Sequence, residues 1–185
     1  MVIWIIGISG AGKTTQGKMI QKYLDKNKIK NYLIDGDEVR DFFDNDLGYS
    51  SKDREINIKR ILLSAYLLEK NGIVPIVCNI SPYDELRVFA QKKFKKYIQI
   101  YLKKDINIAS KSDVKGVYKR NLNKTDIIGI DEEFEKPSTK TFTIDVNKYN
   151  EKQTYKKIKN YLKESFESKL WINKRALPRL YKYIY

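Results

Sequence analysis

Short apolar runs alternate with longer stretches of helical periodicity along most of the chain. The apolar runs have the length of strands and cover residues 2–6, 31–34, 73–80, 97–102 and 141–144. The stretches with helical spacing cover residues 16–26, 38–43, 52–70, 83–96 and 151–166. This alternation predicts right-handed β-α-β units, and therefore an α/β fold in which a parallel β-sheet has helices on both faces.

The predicted helix at residues 52–70 carries two different patterns. Its apolar residues recur at three- and four-residue spacing and predict a buried stripe made of Ile58, Ile61, Leu62, Ala65 and Leu68. On another face, Arg54, Asn57 and Arg60 follow three-residue steps. Such a face could contact an anion, although on spacing alone we expect a solvated face more often.

The first apolar run ends in a glycine-rich segment. Residues 7–15 fit the pattern of Gly, four residues, Gly, Lys and then Ser or Thr. The glycines allow positive φ angles and let the backbone N–H groups converge closely on an anion. A glycine turn between a strand and a helix is the plainer alternative, but the complete pattern favours a phosphate-binding loop. Its predicted ligand-binding members are Gly7, Ser9, Gly10, Ala11, Gly12, Lys13, Thr14 and Thr15.

Two side chains of this loop have separate predicted roles. Lys13 can reach the β- and γ-phosphates of a nucleoside triphosphate, and the Thr14 hydroxyl is placed to ligate Mg²⁺. The helix that should begin near Gly12 adds the positive end of its dipole. The segment therefore predicts binding of a nucleoside triphosphate together with Mg²⁺.

A pair of carboxylates, Asp35 and Asp37, follows the second predicted strand. Open α/β sheets bind their ligands at the carboxyl ends of the strands, so this pair should face the phosphate loop. An ordinary Asp-Gly turn would explain Asp35 and Gly36 alone. The third strand ends at Asn79 and Ser81, where a simple phosphate-loop enzyme would often place an acidic Mg²⁺ ligand. We therefore expect that role to pass to Asp35 or Asp37.

The composition indicates one globular domain. The chain has 185 residues, of which 42% are hydrophobic and 32% charged. No apolar stretch approaches the roughly 20 residues that span a bilayer, so we expect no membrane partner and a cytoplasmic location. Because the sequence has no histidine, Ser-His and Cys-His catalysis are excluded, and a general base must be Asp, Glu, Lys or Tyr. The single cysteine, Cys78, is expected to be a small core residue.

The charge balance suggests a rival class of function. Lysine and arginine outnumber aspartate and glutamate by 37 to 23, which gives a net charge of +14 and favours anionic partners. Residues 167–185 mix basic and aromatic side chains. Such a mixture can bind single-stranded nucleic acid, as in a nucleic-acid-directed kinase or an RNA-binding protein. We favour instead an extension packed on the domain or on a partner subunit, and we expect no nucleic-acid partner.

Taken together, these residues make the chain resemble the adenylylsulfate kinase family over about residues 2–146. Seven motifs in order carry the resemblance: the glycine-rich loop, Asp35-Gly36-Asp37 with Val39-Arg40, Asp46-Leu47-Gly48-Tyr49, Asp53-Arg54 with Asn57 and Arg60, Ile80-Ser81-Pro82, Asp113-Val114-Lys115-Gly116, and Gly129-Ile130-Asp131. The resemblance implies a kinase that transfers the γ-phosphoryl group of ATP to the ribose 3′-hydroxyl of adenylylsulfate. It also agrees with a P-loop NTPase-type sheet.

The resemblance implies roles for particular residues. Lys13, Asp35 and Asp37 are the predicted catalytic residues, with Thr14 and Asp35 as metal ligands. The predicted substrate contacts are Asp37, Arg40, Tyr49, Arg54, Asn57, Ile80, Ser81, Lys115 and Ile127, and Lys115 also approaches the phosphates. We interpret residues 104–136 as a mobile lid of a kinase domain at residues 1–166, and we expect a homodimer.

Several positions depart from the family pattern. Two phenylalanines usually sandwich the substrate adenine, but the matching residues here are Tyr49 and Ile127. Ile128, Glu133 and Ser112 also replace usual residues. A lost aromatic–base stack costs about 1–3 kcal/mol of binding free energy. These replacements therefore leave the identity of the substrate base open. The same reaction on cytidine diphosphoramidate, in capsular phosphoramidate synthesis, is therefore the alternative to adenylylsulfate.

Overall fold

The structure is a computed structural model that describes residues 1–112 and 127–167. Along these residues the elements are β1 (Val2–Ile6), α1 (Lys13–Lys26), β2 (Asn31–Asp35), α2 (Gly36–Phe42), α3 (Ser51–Lys70), β3 (Val74–Cys78), α4 (Asp84–Lys93), β4 (Tyr97–Lys103), α5 (Ile106–Ser112), β5 (Thr141–Asp145) and α6 (Glu151–Glu167). None of the helices in the described ranges is long and apolar enough to cross a membrane.

The strands form one sheet in the order β2-β3-β1-β4-β5, and every pair of neighbours is parallel. Strand β1 lies at the centre, where Ile3 pairs with Ile76 of β3 and with Ile98 of β4. The α/β prediction is therefore confirmed. The carboxyl ends of the strands lie along one edge, where the loops that follow β1, β2, β3 and β4 meet.

Alternate residues of β1 point into two separate cores. Ile3 and Ile5 pack with apolar residues of α1 and α6 on one face of the sheet. Val2, Trp4 and Ile6 pack with α3 and α4 on the other face. Helices on both faces explain why β1 is buried along its whole length, since neither row of its side chains meets solvent.

The predicted buried stripe of α3 is also confirmed. Ile58, Ile61, Leu62 and Ala65 are buried, and Leu68 is partly buried against the same core. Cys78 is 2% exposed within the other core, as expected for a small apolar residue.

Two predicted boundaries were wrong by a few residues. The third strand ends at Cys78 rather than Ile80, and Ser81 then adopts a positive φ of 48° that a strand does not allow. Helix α4 ends at Lys93 because Phe94 is extended and turns its ring into the core. The polar segment after β4 begins with helix α5, whereas residues 113–126 of the predicted lid and residues 168–185 of the predicted extension lie outside the described residues.

Helix α1 approaches the sheet closely at Gly17. A Cβ atom there would lie 2.4 Å from Cys78 Sγ and 2.8 Å from Leu33 Cδ1, which are closer than real contacts allow. Glycine is therefore required by packing rather than by its backbone freedom.

We expect Gly17→Val to lower the free energy of unfolding by about 2 kcal/mol or more, because overpacking forces the helix away from the sheet. Urea denaturation measures this change. The control is Lys18→Ala at the next, exposed position, which should stay within about 0.5 kcal/mol of the parent protein. Equal stability of the valine variant would contradict the close packing.

Candidate active site

The phosphate loop joins β1 to α1 and has the backbone that its glycines predict. Gly7, Gly10 and Gly12 have φ angles of 145°, 74° and 87°. A Cβ atom at Gly7 would lie 2.6 Å from the Leu102 carbonyl oxygen of β4, so a side chain is excluded there. Gly12 is the N-cap of α1, and its left-handed conformation directs the first N–H groups of the helix toward the loop.

Lys13 folds back over this loop. Its Nζ donates hydrogen bonds to the carbonyl oxygens of Gly7 (2.9 Å) and Ile8 (2.8 Å). The ammonium group is therefore held at the loop itself rather than extended into solvent. This position suits a cation that contacts phosphate groups bound in the loop.

The carboxyl end of β2 lies beside the loop, as predicted. The Thr14 hydroxyl donates to Asp35 Oδ2 at 2.6 Å. The other oxygen of this carboxylate, Oδ1, accepts from the Asp37 backbone N–H at 3.0 Å, so Asp35 is also the N-cap of α2. Two bonds thus fix the orientation of Asp35, whereas the Asp37 side chain lies exposed in the first turn of α2.

A second cationic region lies between α2 and α3. Arg40 is 7% exposed and donates to the carbonyl oxygens of Leu47 (3.2 Å) and Gly48 (2.8 Å). The Tyr49 ring lies 4.8 Å from the Arg40 guanidinium carbon and 5.6 Å from that of Arg54. Burial is the main cause that lowers the pKa of Arg40 from its ordinary value. Tyr49 acts in the opposite direction, and the neighbouring Arg54 lowers the pKa further.

The solvated-face interpretation of α3 is wrong for two of its three residues. Arg54 and Asn57 are 8% and 2% exposed. Asn57 Nδ2 donates to the Gly36 carbonyl oxygen at 3.3 Å, and its Oδ1 accepts no hydrogen bond from the described residues. The sequence showed the spacing of these side chains, but not that Asn57 would bond to α2 or that Arg54 would lie between Tyr49 and Glu132.

Arg60, the third residue of that face, has a different role. It makes two hydrogen bonds of 2.7 Å with the Asp46 carboxylate and lies 3.9 Å from the Phe43 ring centroid. This bond holds the pKa of Asp46 below its ordinary value. Arg60 therefore fastens the loop that leads to Tyr49.

The segment after β3 approaches the loop through its main chain. Gly7 N–H donates to the Ile80 carbonyl oxygen at 3.4 Å. The Ser81 hydroxyl accepts from Trp4 Nε1 (2.9 Å) and Asn79 Nδ2 (3.2 Å), so the side chain is buried toward the core. Ile80 and Ser81 were both predicted to contact the substrate. The Ser81 hydroxyl is instead bonded to protein groups.

Ile127 begins a turn that packs beside the phosphate loop. Its N–H donates to Asp131 Oδ2 at 2.8 Å, and its side chain is partly buried against the core on the α1 face. Gly129 has a φ of 95°, and a Cβ atom there would lie 3.1 Å from Ile106 Cδ1 and 3.5 Å from Ile8 Cγ2. Lys115, the remaining predicted contact, lies outside the described residues.

Lys104 is a residue at the phosphate loop that was not among the predicted contacts. Its Nζ donates to the Gly10 carbonyl oxygen of the phosphate loop at 2.8 Å. Lys104 directly follows β4, a neighbour of β1 in the sheet. The rule that placed Asp35 at the carboxyl edge of the sheet would also have placed Lys104 there.

A loop shaped for a triphosphate, with a fixed carboxylate beside it and buried arginines beyond, defines the chain as a phosphate-loop kinase of a small anionic acceptor. The chain belongs to the adenylylsulphate kinase family, whose family model matches residues 1–145.

Individual relatives agree with this membership. The chain is 37% identical to the adenylyl-sulfate kinase of Clostridium acetobutylicum over 166 residues, which cover 88% of this chain and 83% of that protein. It is 35% identical to a probable adenylyl-sulfate kinase of Archaeoglobus fulgidus over residues that cover 80% of this chain and 96% of that protein. Among solved structures, the Mycobacterium tuberculosis APS kinase in complex with AMPPNP and APS superimposes with a TM-score of 0.77 at 27% identity, covering 88% of this chain and 96% of that one.

We expect Lys104→Met to raise the KM for ATP about tenfold, because the hydrogen bond from a charged donor that fixes the Gly10 carbonyl group is lost. Steady-state kinetics with varied ATP measures it. The control is Lys103→Met, since the neighbouring lysine is exposed at the end of β4. An equal KM in the two variants would remove Lys104 from the nucleotide site.

Proposed function

We propose that this protein transfers the γ-phosphoryl group of ATP to the ribose 3′-hydroxyl of adenylylsulfate, giving ADP and 3′-phosphoadenylylsulfate. The observation that carries the proposal is the 2.6 Å bond between Thr14 and Asp35, which brings a carboxylate to the phosphate loop. Membership of the adenylylsulphate kinase family supports the choice of acceptor. The comparisons give no support to cytidine diphosphoramidate or to a nucleic-acid substrate.

The donor half of the site is the loop with Lys13. Gly7, Gly10 and Gly12 open the backbone toward the phosphates, and the ammonium group of Lys13 lies at the same loop. Phosphoryl transfer proceeds through a loose transition state that needs positioning and charge neutralisation more than covalent chemistry. These groups act on the donor oxygens, where negative charge accumulates as the bond to ADP breaks.

The residues beside the loop fit Mg²⁺. The Thr14 hydroxyl and the Asp35 carboxylate are hard oxygen ligands, and they lie within one hydrogen bond of each other. When bound, the ion would neutralise charge on the β- and γ-phosphates. We assign Thr14 and Asp35 to the metal, which leaves the exposed Asp37 carboxylate for the acceptor hydroxyl.

The chemical step then balances simply. The bond from the γ-phosphorus to the bridging oxygen breaks, and a bond from that phosphorus to the ribose 3′-oxygen forms. The 3′-hydroxyl proton passes to a carboxylate, for which we propose Asp37 because no histidine is available. Asp37 belongs to the same turn as Asp35, so the acceptor and the metal are held by one short segment.

The acceptor half is the cationic region between α2 and α3. Arg40 and Arg54 carry positive charges that are largely removed from solvent, and such charges attract an anion strongly. The exposed ring of Tyr49 lies beside both and offers a stacking surface for the base, with Ile127 as the opposite wall. The side chain of Asn57 and the main chain of residues 80–81 complete the proposed pocket.

Four broader proposals complete this function. The kinase domain spans residues 1–166, and residues 104–136, which include Lys115, act as its lid. The basic residues 167–185 pack on the domain or on a partner subunit. The protein works as a homodimer. It acts in the cytoplasm.

A coupled assay of ADP release tests the acceptor, with adenylylsulfate and cytidine diphosphoramidate offered side by side. We expect a specificity constant at least about tenfold higher for adenylylsulfate, because the pocket must distinguish two bases as well as two anions. A higher value for the cytidine compound would overturn the acceptor while preserving the reaction type. Turnover of neither would overturn the proposed function.

Asp35→Asn should lower kcat by about a hundredfold or more while the Kd for ATP changes by less than about threefold, since the carboxylate acts in the transfer step rather than in holding the nucleotide. Single-turnover kinetics and ATP titration measure the two effects. Glu38→Gln, on the exposed side of the same helix, is the matched control. Unchanged kcat in the asparagine variant would disprove a role for Asp35 in the reaction.

A further inference from the structure

We propose that Glu132 is a positioning residue for the acceptor, because it ties the turn that carries Ile127 to the start of α3 and orients Arg54. This inference rests on the proposed function and adds to it a residue that contacts the substrate only through its neighbours. Its evidence is a set of contacts that converge on one carboxylate from two elements distant in the sequence.

The main chain fixes Glu132 relative to Ile127. The Gly129 N–H donates to the Glu132 carbonyl oxygen at 2.7 Å, and the Glu132 N–H donates to the Ile127 carbonyl oxygen at 3.4 Å. An isolated parallel bridge joins Ile128 to Glu132. The turn is therefore a compact unit, and a displacement of Glu132 would move Ile127 with it.

The side chain of Glu132 reaches α3 with both of its oxygens. Oε1 accepts a hydrogen bond of 3.1 Å from the hydroxyl of Ser51, the first residue of the helix. Oε2 lies 3.8 Å from Arg54 Nε, one turn further along. The two contacts resist rotation of the carboxylate, so the charge opposite Arg54 has a defined place.

A third element closes this region. Tyr83 lies at the N-cap of α4, and burial together with Glu132 raises the pKa of its phenol to about 12. A tyrosine phenol is neutral at physiological pH with or without this shift, so Tyr83 adds no competing negative charge. Glu132 thus supplies the negative charge that faces Arg54 on this side.

The arrangement matters more for substrate binding than for stability. The Glu132 side chain is 26% exposed, and partly exposed ion pairs contribute little to folding. Binding an anion through a guanidinium group depends strongly on geometry, because its donors form a rigid fork. The Arg54 side chain is only 9% exposed, so small changes in its packing change which donors face the substrate.

The test compares Glu132→Ala with Glu133→Ala. Glu133 is the adjacent, exposed glutamate, so the control removes the same charge from the same segment. We expect Glu132→Ala to raise the KM for adenylylsulfate about tenfold, as for loss of one hydrogen bond to a charged group, with the KM for ATP unchanged. Glu133→Ala should match the parent protein in both constants.

Two further variants separate positioning from general damage. Glu132→Gln keeps an acceptor for Ser51 but removes the charge opposite Arg54, so it should restore only part of the affinity lost in the alanine variant. Ser51→Ala should raise the KM for adenylylsulfate by itself, and combining it with Glu132→Ala should add little, because both act through one contact. Thermal melting of every variant checks that the fold is retained.

The inference is overturned if Glu132→Ala behaves as Glu133→Ala, or if it raises the KM for ATP as much as the KM for adenylylsulfate. It is also overturned if the effects of Glu132→Ala and Ser51→Ala on the KM for adenylylsulfate are additive. These outcomes leave the proposed function intact, since the parent protein would still phosphorylate adenylylsulfate. Failure of the parent protein itself to use adenylylsulfate would instead overturn both. The parent assay therefore distinguishes the two failures.

Discussion

The hydrogen bond between the Thr14 hydroxyl and the Asp35 carboxylate joins two parts of the site that belong to different β-α units. It requires the carboxyl end of β2 to lie beside the first turn of α1, although β3 separates β2 from β1 in the sheet. The close approach of α1 to the sheet at Gly17 makes this possible, because any side chain there would collide with Cys78. The geometry of the reaction centre therefore depends on how tightly one helix packs on the sheet.

The cations of the site are held mainly by backbone carbonyl groups. Lys13 and Lys104 bind carbonyl oxygens of the phosphate loop, and Arg40 binds those of Leu47 and Gly48. A carbonyl dipole orients a cation without cancelling its charge, so these three keep the positive potential that attracts an anionic substrate. Arg54 is the exception, because a carboxylate oxygen of Glu132 lies 3.8 Å from its Nε and orients it. Arg60 shows the other arrangement, since its bidentate pair with Asp46 serves to fasten a loop.

The sequence was sufficient to predict the sheet, the helices on both faces and the phosphate loop, because strict periodicity and glycine spacing depend on local chemistry. It also placed Asp35 beside Thr14, since parallel strands end at a common edge. It could not show that Arg54 is buried, that the Ser81 hydroxyl turns toward Trp4, or that Glu132 contacts Ser51. Each of these depends on the packing of segments far apart in the chain, which no local pattern encodes.

The central position of β1 has a consequence for how the protein reaches its folded state. The strand that leads into the phosphate loop precedes both of its partners in the sequence, since β3 and β4 lie in residues 74–103. Non-local pairing of this kind must overcome a large loss of chain entropy before its contacts form. The phosphate loop therefore has no partner strand beside β1 until the residues of β3 are available, and the sheet edge that supports ATP binding is complete only after β4.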